Sequence, residues 1–338
     1  MKRLMENTLR FITPLFGDRH ANMLLPFLYS IEKSNPRAFV SVYWEDIRPE
    51  FIQLLSSAFP RVEFIQTNFN FSKDITHRIS SKTLVWEQAA HDKQDTSEWL
   101  VFIDTDTLII GDIASYIQPI RADGIFTFRN GPFPINSGVV IFRSSQEMAH
   151  FFSLWQKKTS EILNTPALYK QANDRTLPYG GADQMAIHLL LNYQRETITY
   201  HVNVKNKTLT LWMAPCEDLN ETYSAPITNR TRIIHFKGGW RSILFEKGYF
   251  TKNRPKEDSW DMYILYIQHF QEAVLRLNRT GNSRYTLKDF QFSVPFYINP
   301  LTYRERPFLY RLFFVQSWIR RLPQRIRTFI SERLRASS

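Results

Sequence analysis

The sequence predicts an α/β domain built on a mixed, mostly parallel central sheet, continued by a basic helical carboxyl-terminal segment. Three observations carry this reading. Short β-rich apolar runs alternate with stretches of helical periodicity from Leu9 to Phe236, the pattern expected when parallel strands are joined by crossover helices. One of those runs, WLVFI at 99–103, is apolar throughout, as a strand covered on both faces must be. The chain is also 43% hydrophobic over 338 residues, enough to bury a sizeable core and to exclude wholesale disorder.

Taken in order, Leu9 to Thr13 predicts a first strand, and after Gly17 the apolar positions recur at helical spacing from Arg19 to Lys33. Ala38 to Trp44 and Val62 to Gln66 read as the next two strands. A helix is expected from Thr76 to Asp92, leading through the polar loop KQDTSE into WLVFIDTDTLII. Further strands are expected at Gly124 to Phe128, Gly138 to Phe142 and Arg232 to Phe236, with helices at Gln146 to Lys158 and Asp183 to Asn192. There is no internal repeat and no low-complexity segment.

Charge and cysteine content narrow the class. The net charge of +11 is uneven, because Tyr303 to Ser338 holds nine arginines against two glutamates. That asymmetry predicts a separate electrostatic task for the tail, such as attraction to an anionic surface. Cys216 is the sole cysteine, so no internal disulfide is available and a reducing compartment is expected. No run approaches the ~18 apolar residues of a membrane span, and the first residues lack a signal-peptide core, so a cytoplasmic, non-spanning protein is expected. The sequons at Asn206, Asn220, Asn229 and Asn278 are read as chance matches.

The most informative stretch is FIDTDTLII. In open α/β sheets, ligands bind beyond the carboxyl ends of strands, which is where Asp104 and Asp106 fall. Two carboxylates two residues apart can direct oxygen ligands at one hard divalent cation that also grips a diphosphate. An Asp-x-Asp triplet alone carries little information, and its place after a buried strand gives it weight. The competing reading is a solvated strand terminus.

A second element is RIIHFKGGWR, where His235 ends an apolar run and a basic glycine-containing turn comes next. Imidazole suits manganese-like ions, whereas a lone histidine at a strand end is otherwise a satisfied structural residue. Gly238 and Gly239 would let backbone N–H groups approach phosphate, with Lys237 or Arg241 pairing its charge. In FPINSGVVIF, Asn136 and Ser137 are placed in a turn before a strand. In YGGADQMAIHLLLN, Asp183 and Gln184 open a helix, where a carboxylate serves equally as a cap or as a sugar contact.

With FIDTD, INSGV, ADQ and HFKGGWR in that order, residues 8 to 245 resemble glycosyltransferase family eight. This is a retaining GT-A group that includes glycogenin and bacterial lipooligosaccharide galactosyltransferases. The resemblance implies a GT-A catalytic domain over 1–245, a helical extension over 246–302 that completes it, and a basic amphipathic tail over 303–338. It implies Mn2+ or Mg2+ held by Asp104, Asp106 and His235, and a nucleoside diphosphate sugar contacted by Thr13, Lys82, Thr105, Asn136, Ser137, Gly238 and Arg241. Arg78 is the alternative to Lys82 for the donor-binding cation. Asp183 and Gln184 would face the reacting sugar. Two departures stand out: Ser242-Ile243 replaces the family's terminal Pro-Trp, and the tyrosine that stacks on uracil is not evident in GDRHAN.

The implied activity is transfer of a hexose to a glycan or lipid-linked acceptor with retention. The alternatives are an inverting transferase with Asp183 as base, and a non-enzymatic basic module binding membrane or nucleic acid. A nucleotidylyltransferase is disfavoured by the lack of an early Gly-rich loop. No nucleic-acid partner is expected. In the tail, Ile319, Leu322, Ile326, Phe329, Ile330 and Leu334 recur near helical spacing among arginines, fitting either a peripheral helix on the inner face of a membrane or a helix docked on the domain.

Overall fold

The computed structural model describes residues 8–71, 74–94, 96–131, 133–222, 227–236, 260–280 and 284–290, with Leu312, Val315, Ile319 and Leu322 from the carboxyl-terminal segment. The described chain falls into two compact units, one formed by residues up to Thr222 with Ile227–His235, the other by Tyr223–Pro226 with Phe236–Ser338.

The first unit opens with β1 (Leu9–Phe16), α1 (Asp18–Ser34), β2 (Phe39–Glu45), α2 (Pro49–Ala58) and β3 (Val62–Gln66). All three strands pair in parallel, β1 with β2 and β2 with β3, as βαβ crossovers require. Next come α3 (Ile75–Ser80), α4 (Lys82–Asp92), β4 (Trp99–Ile103), β5 (Thr107–Ile109), α5 (Ile113–Ile117), β6 (Gly124–Phe128) and β7 (Ile135–Arg143). The unit continues with α6 (Gln146–Asn164), α7 (Pro166–Ala172), α8 (Ala182–Leu191), β8 (Thr199–Val204), β9 (Lys207–Pro215), α9 (Cys216–Leu219) and β10 (Ile233–His235). Eight strands make one sheet in the order β3-β2-β1-β4-β7-β6-β9-β8, while β10 and β5 form a small separate ladder. The β4–β7, β6–β7 and β8–β9 pairings are antiparallel. The expected mixed α/β sheet is therefore present.

The chain leaves β1 towards β2 on one side and re-enters at β4 on the other, both in parallel with β1. This reversal opens a crevice at the carboxyl ends of β1 and β4, and Asp104 comes directly after the last residue of β4. Every residue of β4 is buried, because helices cover one face and the α1 layer the other. The core beside it is aromatic: Trp86 of α4, Phe102 of β4, Phe126 of β6, Phe142 of β7, and Phe151, Phe152 and Trp155 of α6 share one cluster. Phe102 and Phe152 rings lie 4.2 Å apart and Phe142 and Phe151 rings 5.4 Å apart. Each such ring contributes ~1.5–3 kcal/mol through the apolar area it removes from water.

Three local differences from the sequence expectation have physical causes. The helix expected over 76–92 is split at Ser81, whose N–H is shared between the His77 and Ile79 carbonyls while its hydroxyl also donates to the His77 carbonyl at 2.9 Å. Asn136 and Ser137, expected in a turn, lie inside β7 and are buried. A register shift between Phe126 and Thr127 lets β6 keep pairing with β7 as far as Thr127↔Asn136 and Phe128↔Ile135. Strands β8 and β9 were not foreseen; β8 ends the sheet order and alternates exposed with more buried residues, so its apolar signal is diluted by solvent-facing polar positions.

Cys216 is buried at the start of α9, as a small core hydrophobe would be. The second unit contains α10 (Trp260–Thr280) and a short 3-10 turn at Leu287–Phe290. Phe236 packs edge-on against Tyr266 at 4.6 Å, and Phe270 against Phe290 at 6.0 Å. Among the described residues no helix is long and apolar enough to cross a membrane.

Candidate metal centre

A loop and a strand end converge on one point. Asp104 and Asp106 sit between β4 and β5, and β5 pairs antiparallel with β10 in the register Thr107↔His235. That register sets the imidazole beside the carboxylates although His235 follows Asp106 by 129 positions in the chain. One ligand atom from each of Asp104, Asp106 and His235 lies within 4.8 Å of the other two. His235 Nε2 is 2.9 Å from Asp106 Oδ1 and 3.9 Å from Asp104 Oδ2.

The loop is tied down from both sides. Thr107 Oγ1 donates to the Asp104 carbonyl at 2.8 Å, and Asp104 N–H donates to the Gly138 carbonyl at 3.0 Å. The end of α1 fastens the stretch after β5 begins: Ile109 N–H donates to Ser30 Oγ, and Asn35 reaches Gly111 and Ile113. Gly138 is required here for space, since a Cβ would lie 2.3 Å from His235 Cε1 and 3.0 Å from Asp104 Oδ2. The glycine leaves the hollow into which the three ligand side chains fold.

Behind the carboxylates lies a buried charge network. Lys82, at the start of α4, places Nζ 2.9 Å from both oxygens of Asp104 and 3.7 Å from Asp183 Oδ2, and 4.7 Å from the centre of the Trp86 ring. Asp183, on the first turn of α8, accepts from Ser80 Oγ at 3.0 Å and from Ser137 Oγ at 2.5 Å. Trp155 Nε1–H donates to the Asp183 carbonyl at 2.8 Å, joining the aromatic core to this network.

Burial works against the charge on Lys82, yet Asp104 and Asp183 outweigh it and raise its pKa. Burial likewise raises the Asp104 pKa, opposed by Lys82 and His235 and reinforced by Asp106. Both groups thus hold protons more tightly than usual, as expected in a desolvated site with excess negative charge. Three carboxylates facing one ammonium leave two formal negative charges, which one divalent cation would balance. The donor set of two carboxylates and an imidazole suits manganese or magnesium better than a soft metal.

The remaining residues singled out from sequence are spread over several elements. Thr105 is buried between the two aspartates. Thr13 is fully buried in β1, its hydroxyl without a hydrogen-bond partner among the described residues. Arg78 Nη1 would lie 3.9 Å from a Cβ on Gly17, at the turn after β1. Asn136 turns its Oδ1 to the N–H of Gly138 at 2.9 Å, and Ser137 is committed to Asp183. Gln184 is half-buried, with Nε2 donating to Gly180 at 3.3 Å. Lys237, Gly238, Gly239, Trp240 and Arg241 lie outside the described residues, as do Ser242-Ile243 and most of the tail.

Sequence reasoning missed Asn220, which is fully buried and faces His235 Nδ1 at 2.8 Å. Its one sequence mark was a glycosylation-type tripeptide that has nothing to do with this role. It also missed Ser80, whose hydroxyl binds both Asp183 and the Ala182 N–H.

No family model matches the chain, and no curated protein matches it in sequence. Its fold does match solved structures. The crystal structure of the glycosyltransferase GlyE of Streptococcus pneumoniae TIGR4 aligns with a TM-score of 0.53 at 10% identity, over 80% of this chain and 63% of that one. The apo form of the same protein gives 0.50 at 9% identity over the same shares. This chain therefore spans less than two thirds of that protein's length. At such identity the likeness is one of architecture, and this chain has the GT-A type of mixed α/β fold found in solved glycosyltransferases.

Proposed function

We propose that this chain is a metal-dependent glycosyltransferase that moves a hexose from a nucleoside diphosphate sugar to a glycan or lipid-linked acceptor, with retention of configuration. The observation that carries the reading is the convergence of Asp104 and Asp106, from the β4–β5 loop, with His235, at the end of the strand that pairs with β5, on a point beyond the carboxyl end of β4. Bound there, Mn2+ or Mg2+ would supply Lewis-acid stabilisation of the departing diphosphate.

The chain's own residues do the rest in this reading. Lys82 holds Asp104 and Asp183 at a set separation, so that metal ligand and sugar contact form one rigid unit. Asp183, whose oxygens are taken by Ser80 and Ser137, supports the sugar site from behind, and Gln184 faces the reacting carbon. Thr13 and Thr105 contribute the wall of the nucleotide crevice, and Gly238 with Arg241 the diphosphate contacts. Asp183 is 2% exposed and engaged by three side chains, which weighs against its serving as the base of an inverting reaction, since a base must reach the acceptor hydroxyl.

The experiment is donor hydrolysis across a panel of nucleotide sugars, with and without Mn2+, for wild type and Asp106→Ala. Metal-dependent turnover that the variant loses supports the proposal, and equal metal-independent rates would sink it. Product anomeric configuration then separates retention from inversion.

The tail is proposed to rest on an anionic leaflet, bringing the enzyme to a lipid-linked acceptor. Leu312, Val315, Ile319 and Leu322 are helical and exposed at one-face spacing, in a segment whose sequence carries the nine arginines.

A further inference from the structure

We propose that Asn220, anchored by Thr127, is a positioning residue that keeps a proton on His235 Nδ1, so that Nε2, which faces Asp106 at 2.9 Å, is the atom that gives up its proton to bind the cation. This inference rests on the metal-dependent reading above.

The direction of the hydrogen bonds is fixed from one end. The backbone carbonyl of Asn136 can only accept, and Thr127 Oγ1 lies 3.0 Å from it, so the threonine hydroxyl donates there. With its proton committed, Thr127 Oγ1 is an acceptor for Asn220 Nδ2 at 2.7 Å. This sets the amide orientation and turns Asn220 Oδ1 to His235 Nδ1 at 2.8 Å. An amide oxygen carries no proton, so the proton in that contact belongs to Nδ1. Reversing the amide would set an NH2 group against Nδ1 and require Thr127 to donate to Asn220, giving up its bond to the Asn136 carbonyl.

Every member of the relay is shut off from solvent: Thr127 is 1% exposed, Asn136 3%, Asn220 0% and His235 3%. Water therefore has little access to compete for either face of the amide. The backbone holds the parts in line as well. Glu221 N–H donates to Ile233 and His235 N–H to Glu221 at 2.7 Å, which keeps residue 220 beside the histidine. The register shift in β6 falls at Thr127 and pairs it with Asn136. An irregularity in the sheet thus supplies the fixed end of a chain that terminates at the candidate metal ligand.

A ring nitrogen that binds metal needs its lone pair, and the partner of the other nitrogen decides which one has it. Asn220 does this without adding charge to a site that already holds an excess of carboxylate.

The test uses Mn2+ titration calorimetry on the full chain, with long-range 1H–15N spectra of the imidazoles in the metal-free protein. Wild type should show His235 protonated on Nδ1. Asn220→Leu and Thr127→Val, confirmed folded by circular dichroism, should bind Mn2+ about 10–100-fold more weakly, the range for loss of such partners. A wild-type His235 lacking the Nδ1 proton overturns the inference, as does undiminished Mn2+ affinity in both Asn220→Leu and Thr127→Val. Failure of wild type to bind Mn2+ would instead overturn the metal reading, and the imidazole spectrum would still decide the tautomer.

Discussion

Thr107 and His235 face each other across the β5–β10 ladder, and this single antiparallel pairing is what brings an imidazole to within 2.9 Å of Asp106. The ladder is short, three residues on each side, and both strands are wholly buried. The site is therefore built on packed backbone, not on a free loop, which limits how far the ligands can drift without a cation.

Gly138→Ala is expected to abolish tight metal binding while leaving the fold intact. The added methyl would meet His235 Cε1 at 2.3 Å and Asp104 Oδ2 at 3.0 Å, so the imidazole must swing away from the carboxylates. Mn2+ affinity measured by calorimetry should fall at least about tenfold, in line with loss of support for a metal ligand. Wild-type affinity in the variant would show that the hollow has more slack than the geometry describes.

Lys82→Met should destabilise the metal-free protein by about 3–5 kcal/mol, since it leaves Asp104 and Asp183 buried without their cation. A divalent ion would replace part of the missing charge. The rise in Tm on adding Mn2+ should accordingly be larger in the variant than in wild type. An equal rise in the two proteins would mean that Lys82 and the ion do not act on the same carboxylates.

His188, on α8, packs edge-on between Tyr179 at 5.3 Å and Tyr193 at 4.7 Å, and burial pushes its pKa down from 6.5 to about 4. The unfolded chain takes up the proton first, so stability is full above pH 6.5, falls as the pH drops from 6.5 to about 4, and levels off below. At about 1.4 kcal/mol per tenfold in proton affinity, the loss amounts to roughly 3 kcal/mol. Denaturant midpoints measured from pH 7 to 4 should show this slope in wild type and a flatter one in His188→Gln. Identical slopes would remove His188 as the source.

Flotation with phosphatidylglycerol vesicles tests the tail. Wild type should float and a chain ending at Glu305 should not, with binding weakening as salt rises because the attraction is screened. The double change Leu312→Glu and Ile319→Glu, at residues 44% and 55% exposed, should reduce flotation without altering Tm. Binding that persists in the truncated chain would place the membrane contact elsewhere or nowhere.

Much of the fold was legible because its signals are local. The apolar run 99–103, the helical spacing of α1 and α6, and the strands at 62–66 and 124–128 were all recoverable from residue type and period. The carboxylate pair was legible for a related reason, since a buried strand that stops at an acidic residue marks its own end. What escaped was set by partners distant in the chain. Asn136 and Ser137 look like turn formers and become strand residues only because β4 and β6 pair on either side of them. Ser80 and Asn220 carry no local mark of the roles they play.

Sequence by itself determined the class of fold, the carboxyl-end placement of Asp104 and Asp106, and the concentration of positive charge in the last residues, because each comes from composition or short-range periodicity. Tertiary structure alone decided that the His235 ring lies nearer Asp106 than Asp104, that Lys82 lies beneath the site as a bridge between two aspartates, and that Asn220 faces the imidazole. Those are matters of register and burial, where a few ångströms between residues far apart in the chain set the electrostatics, and no local pattern encodes such a distance.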